Sequence, residues 1–197
     1  MRLVLATRNP GKVAELAARL ADLDVDPVSA ADLGAPPVEE DADTLAGNAE
    51  KKARALFEHA GLPALADDTG LEVDALDGRP GVHSARYAGE DADDEANRRK
   101  LLADLAGAES RAARFRTVLA YVDGDGLRLF DGVCEGVIAT EEAGTDGFGY
   151  DSVFRPAGCD GRTFAEMTAE EKNRVSHRGR ALDAFARWLE ERGGAAG

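Results

Sequence analysis

The stretch ARFRTVLAYVDGDGLRLFDGVCEGVIA, residues 113–139, limits the possible folds more than any other part of the chain. Two strand-like runs flank a DGDG turn, the signature of a β-hairpin or meander. On either side the hydrophobic period changes. Residues 2–7, RLVLAT, form an apolar run of strand length, followed by the turn signal RNPG. Val13, Leu16, Leu20 and Leu23 then fall on one helical stripe. A short strand is expected over residues 24–29, irregular or at a sheet edge because of Pro27. Leu45, Ala49, Ala53, Leu56 and Ala60 make a second helical stripe, which Asp43 or Thr44 can cap. After GLPALADD, read as the start of a buried strand, and the turn DGRPG, residues 92–106 return to helix with Leu101, Leu102 and Leu105 as its apolar face. The end of the chain is helical in two parts. Thr168 and Glu171 spell a capping box, and Leu182, Phe185, Trp188 and Leu189 share a face. Strand–helix units combined with a hairpin argue for an α/β fold with a mixed sheet. The expectation is a single domain over residues 1–197, with two lobes and a frayed tail over 193–197.

Charge and composition exclude several functions. The net charge is -14, with 38 Asp and Glu against 24 Lys and Arg. A surface this acidic repels nucleic-acid backbones, so no nucleic-acid partner is expected. No run approaches the roughly 20 apolar residues of a membrane span. The opening MRLVLATRNPGK does not read as a secretory signal, so the protein is expected to be cytoplasmic. The two cysteines and three histidines show no zinc-ligand spacing.

Five segments could carry chemistry. TRNPGK, residues 7–12, sits between a strand and a helix start, where free backbone N–H groups bind phosphate; it can equally be an ordinary turn. Asn48 and Lys52 are one helical turn apart and flank the apolar stripe, at a solvated edge or beside a cleft. ADDTG, residues 66–70, places Asp67 and Asp68 between an apolar run and a threonine–glycine turn. Adjacent strand residues face opposite ways, so one carboxylate can meet a cation while the other supports the backbone. With the carboxylates of VEED, residues 38–41, this is the thin ligand set that Mg²⁺ accepts when substrate phosphates and water complete its shell. GFGYD, residues 147–151, sets Phe148 and Tyr150 among glycines, as a stacking platform for a base or as core. Lys172, His177 and Arg178 gather donors at the start of the last helix, suited to phosphates or to a purine 6-keto oxygen.

Taken together and in this order, the segments resemble the inosine triphosphate pyrophosphatase family along nearly the whole chain. GRPGVHSARYAGE, FGYD and SHR match its motifs as well, and Thr69 stands at its serine position. The resemblance implies an elongated mixed β-sheet flanked by helices, with two lobes and a central cleft. It also implies homodimers, Mg²⁺ as cofactor, and hydrolysis of ITP, dITP or XTP to the monophosphate and pyrophosphate. It assigns Asp68 to catalysis, and Asp68 with Glu40 to the metal, Glu39 being one position away. Thr7, Arg8, Asn9, Pro10, Gly11, Lys12, Asn48, Lys52 and Thr69 are expected to bind substrate, as are Phe148, Gly149, Tyr150, Asp151, Lys172, His177 and Arg178.

Overall fold

The computed structural model describes residues 1–6, Leu16, Leu20 and 25–194. The expected phosphate loop, Thr7 to Lys12, lies outside the described residues, as does most of the helix read over 12–23; Leu16 and Leu20 are helical and buried. Among the described residues, seven strands form one sheet in the order β2-β1-β3-β5-β6-β7, with β4 paired to β3. The chain divides into two compact units. Unit 1 holds Met1–Asp68, Thr117–Gly132 and Gly179–Gly197, and unit 2 holds Thr69–Arg116 and Val133–Arg178.

In unit 1, strand β1 (Arg2–Leu5) pairs in parallel with β2 (Asp26–Ser29) and with the start of β3 (Ala64–Val73). Pro27, which lacks an N–H for a ladder, is tolerated because β2 ends the strand order. Both faces of β1 are buried. Leu3 and Leu5 join Leu65, Leu119, Tyr121, Leu182 and Phe185, whereas Val4 joins Ala30, Leu56 and Ala64. Alternation therefore feeds two apolar clusters from one strand, as a sheet covered on both sides requires. Helix α1 (Leu45–Ala60) supplies Leu56 to the second cluster. Its cap is Thr44, whose hydroxyl accepts from the Gly47 N–H at 3.0 Å. It ends at Gly61, in the left-handed region at φ 63°.

Unit 2 holds the rest of β3, the short β4 (Pro80–Gly81), and helix α2 (Asp94–Asp104). It also contains the base of the hairpin β5 (Ala112–Asp123) and β6 (Gly126–Ile138), then β7 (Phe154–Pro156) and helix α3 (Ala169–Val175). The last helix, α4 (His177–Gly194), begins in unit 2 and runs on in unit 1. In the core of unit 2, Leu71, Val73, Leu101, Leu105, Phe115, Phe154 and Phe164 pack together. Phe115 and Phe154 meet edge to face at 4.7 Å.

The structure corrects one local expectation. Thr69 and Gly70 do not turn the chain, because β3 continues through them to Val73. Leu71 and Val73 are fully buried, and strand neighbours lie on both sides of β3. Core burial at the far end therefore holds the chain extended where the local dipeptide reads as a turn.

Candidate active site

In unit 1 a buried charge cluster forms around β3. Asp67 and Asp68 stand in the middle of that strand, 5% and 7% exposed. Asn48 and Lys52 reach Asp68 from one face of α1. The Asn48 amide donates to Asp68 Oδ2 at 3.2 Å, and Lys52 Nζ donates to Asp68 Oδ1 at 3.2 Å. The same ammonium donates to Glu40 Oε1 at 2.7 Å, so two carboxylates converge on one cation. Glu39 is exposed. Burial alone would lower the Lys52 pKa, but the charges of Asp68, Asp67 and Glu40 outweigh it, and the group is held above its ordinary value. Lys52 is thus an ammonium at neutral pH.

The loop that carries Glu40 is strapped to α1 at three points. Ala42 N–H donates to Asn48 Oδ1 at 2.9 Å, Lys51 pairs with Asp41 at 2.5 Å, and Lys52 holds Glu40. Asn48, 1% exposed, uses its amide nitrogen on Asp68 and its oxygen on the loop, so it fixes the two carboxylate-bearing segments relative to each other. The donor set suits a hard cation. Among the described residues no group of three or more His, Cys, Asp and Glu could cage a metal. Glu40 and Asp68 instead offer the one or two carboxylates that Mg²⁺ takes when phosphates and water complete its shell.

Unit 2 gathers a second cluster. Asp151, 4% exposed, accepts from Lys172 Nζ at 2.7 Å and from the Phe148 N–H at 2.9 Å. Lys172 Nζ lies 4.7 Å from the centre of the Phe148 ring, and the Arg178 guanidinium lies 5.8 Å from it. Arg178 also donates to Thr69 Oγ1 at 3.2 Å, which ties the start of α4 to β3. His177 is buried and stacks on Phe115 at 4.5 Å, with planes 17° apart. The structure thus brings Thr69, Phe148, Asp151, Lys172 and Arg178 together, with His177 beside them on Phe115. Tyr150 belongs to the core instead. It is 5% exposed, and its hydroxyl donates to the Ser84 carbonyl at 2.8 Å, so it anchors the loop from beneath.

Gly149 is held in a way the sequence reading missed. Its N–H donates to Asp94 Oδ2 at 2.7 Å, and its carbonyl accepts from Arg98 Nη1 at 2.9 Å. The available signal was the spacing: Asp94 and Arg98 stand one turn apart on α2, on one helix face. In the sequence they blend into the acidic run around them.

These features define the class of the molecule, an α/β protein with a mixed sheet flanked by helices. The chain belongs to the Ham1 family, whose profile matches residues 3–188. It is 51% identical over 199 residues to a dITP/XTP pyrophosphatase of Syntrophobacter fumaroxidans, covering 96% of this chain and 85% of that protein. A dITP/XTP pyrophosphatase of Desulforamulus reducens is 52% identical over 186 residues, covering 92% of each. The solved structure of a HAM1 protein from Coxiella burnetii superposes with a TM-score of 0.91 at 40% identity, covering 97% of this chain and 99% of that one.

Proposed function

We propose that this chain hydrolyses non-standard purine nucleoside triphosphates, ITP, dITP and XTP, to the monophosphate and pyrophosphate, clearing them from the nucleotide pool. The observation that carries the reading is the buried Asp68 carboxylate, oriented on one oxygen by Lys52 and on the other by Asn48, with Glu40 on the same ammonium. Relatives about half identical in sequence and named dITP/XTP pyrophosphatases support it. In this reading the protein is a cytoplasmic homodimer. No helix among the described residues is long and apolar enough to cross a membrane.

Asp68 and Glu40 would hold Mg²⁺, which when bound supplies positive charge to the phosphate oxygens. Asp68 also orients the attacking water and takes its proton as the water attacks the α-phosphorus in line, with pyrophosphate leaving. Lys52 neutralises charge that grows on the phosphates. Because it is already fixed by its carboxylates, it need not reorganise during the reaction. Lys12, Asn9 and the backbone N–H groups of the loop from Thr7 to Gly11, Pro10 having none, are assigned to the triphosphate by family resemblance alone.

In unit 2 Phe148 stacks on the base, and Lys172, His177 and Arg178 supply donors. A 6-keto oxygen satisfies such donors, whereas the 6-amino group of adenine presents another donor. A site built to hydrogen-bond one pattern rejects the other by about 10⁴, because its polar groups are left unpaired.

The test is pyrophosphate release from ITP, XTP, GTP and dUTP, with and without Mg²⁺. Preference for ITP and XTP, dependence on Mg²⁺, and loss of turnover in Asp68→Asn with the native circular-dichroism spectrum retained are expected. Near-normal kcat in Asp68→Asn would remove Asp68 from the chemistry. ITP binding without pyrophosphate release in the unaltered protein would make it a nucleotide-binding protein instead.

A further inference from the structure

We propose that Asp94 and Arg98 are positioning residues for base recognition: they hold Gly149 at its N–H and at its carbonyl, in the two peptide groups on either side of it, and so fix where Phe148 presents its ring. The inference rests on the reading of Phe148 as the base-stacking platform.

The clamp is anchored in the core. Helix α2 is capped by Asp93, whose carboxylate accepts from the Ala96 N–H at 2.7 Å. Asn97, 2% exposed, takes the Ala88 N–H at 2.8 Å and donates to the Ala85 carbonyl at 3.1 Å. Leu101 and Leu105 are fully buried. From this fixed base Asp94 accepts the Gly149 N–H and Arg98 donates to the Gly149 carbonyl. Arg98 Nε also donates to Glu142 Oε2 at 2.8 Å, and that oxygen accepts from the Ser152 hydroxyl at 2.9 Å. The arginine fork therefore links the loop at Gly149 to the same loop at Ser152 through Glu142.

Gly149 needs such restraint. It adopts φ +61°, and no atom lies within 4 Å of where its Cβ would be. Packing therefore does not hold it, and a glycine unrestrained by packing has the widest choice of conformations. Phe148 is its neighbour, and the Phe148 N–H is fixed by Asp151. With both peptide groups flanking Gly149's neighbour restrained, the Phe148 backbone keeps one conformation. Without the clamp one side is released, and ordering that segment is charged to substrate binding.

The experiment is steady-state ITP hydrolysis, read as pyrophosphate release, in Arg98→Met, Arg98→Lys, Asp94→Ala, Asp94→Asn and Phe148→Ala, and in Phe148→Ala combined with Arg98→Met. Arg98→Met keeps the stem and loses the fork. It should raise KM about tenfold, within the range that stacking one base is worth, and leave kcat within about twofold. Asp94→Ala should move KM the same way, whereas Asp94→Asn, which keeps an acceptor, should restore it. Arg98→Lys can reach one partner only and should fall between. Adding Arg98→Met to Phe148→Ala should change KM by less than about twofold, since the clamp then has no ring to place. A merely structural role would instead lower kcat and stability and would add its full cost in the Phe148→Ala background. If Phe148→Ala raises KM and Arg98→Met does not, the clamp is refuted and stacking stands. If Phe148→Ala leaves KM unchanged, the stacking reading itself fails and the clamp falls with it.

Discussion

Replacing Gly147 and Gly149 separately by alanine would show how firmly the Asp151–Lys172 pair is locked. Both glycines sit in the left-handed region, at φ +82° and +61°. An alanine there costs about 1–2 kcal/mol from the backbone alone. At Gly149 nothing lies within 4 Å of the added Cβ, so the cost ends there. At Gly147 the new methyl falls inside van der Waals contact of Asp151 Oδ2, and 2.9 Å and 3.1 Å from its Cγ and Cβ. Rotating the carboxylate away would not relieve a clash with its own Cβ. It would also separate Asp151 from Lys172, a pair whose side chains are 5% and 7% exposed. Breaking a buried pair costs about 3–5 kcal/mol, so Gly147→Ala should destabilise unit 2 by about 4–7 kcal/mol. The only tryptophan, Trp188, is in unit 1 and would report on the wrong unit. Native-state hydrogen exchange at the Ala139 amide, bonded to the Val153 carbonyl at 2.7 Å, reads unit 2 directly. A difference between the two variants of less than about 1 kcal/mol would refute the reasoning, since Asp151 would then be free to yield.

Thr44→Ala removes the cap of α1 and should cost about 1 kcal/mol of unit 1 stability, measured by urea unfolding followed through Trp188 fluorescence. On the acid side, hydrogen bonds from Arg162 and from Thr168 lower the Glu171 pKa to about 2, and Asp160 is lowered by the same arginine. The unfolded chain binds those protons first, so stability should fall as pH drops from about 4.5 towards 2, and Arg162→Met should flatten that fall in the thermal midpoint. On the alkaline side, burial and then the Asp123 hydrogen bond push the Tyr121 pKa up to about 12. The unfolded phenol ionises near 10, so stability should fall as pH rises from about 10 through 12, less so in Tyr121→Phe.

Legibility in the sequence followed the range of the forces involved. The α1 stripe was readable because Leu45, Ala49, Ala53 and Leu56 repeat at helical spacing, and all four are buried. The capping box at Thr168 and Glu171 is local too, and it is present. The hairpin was readable from its turn. The path of β3 through Asp68 and Thr69 was not. Two carboxylates in a central strand oppose β propensity, and the groups that offset their charge, Lys52 and Asn48, come from 16 and 20 residues away on α1. For Tyr150 the sequence left platform and core both open for a related reason: glycines around an aromatic indicate a loop, but only the fold supplies the Ser84 carbonyl, 66 residues distant, that draws the ring inward. The hold on Gly149 spans 55 and 51 residues to Asp94 and Arg98, beyond the reach of any local pattern.

The division of the chain into units has a consequence for biosynthesis. Unit 1 is assembled from the beginning, the middle and the end of the chain, while unit 2 is complete by Arg178. Leu3, Leu5, Leu65 and Leu119 share their cluster with Ala181, Leu182 and Phe185, which the ribosome delivers after all of them. Throughout elongation the first strand therefore waits with part of its apolar surface uncovered. The strand made first is sealed only when α4 is released, so the growing chain, more than the finished enzyme, is the form exposed to aggregation and to chaperones.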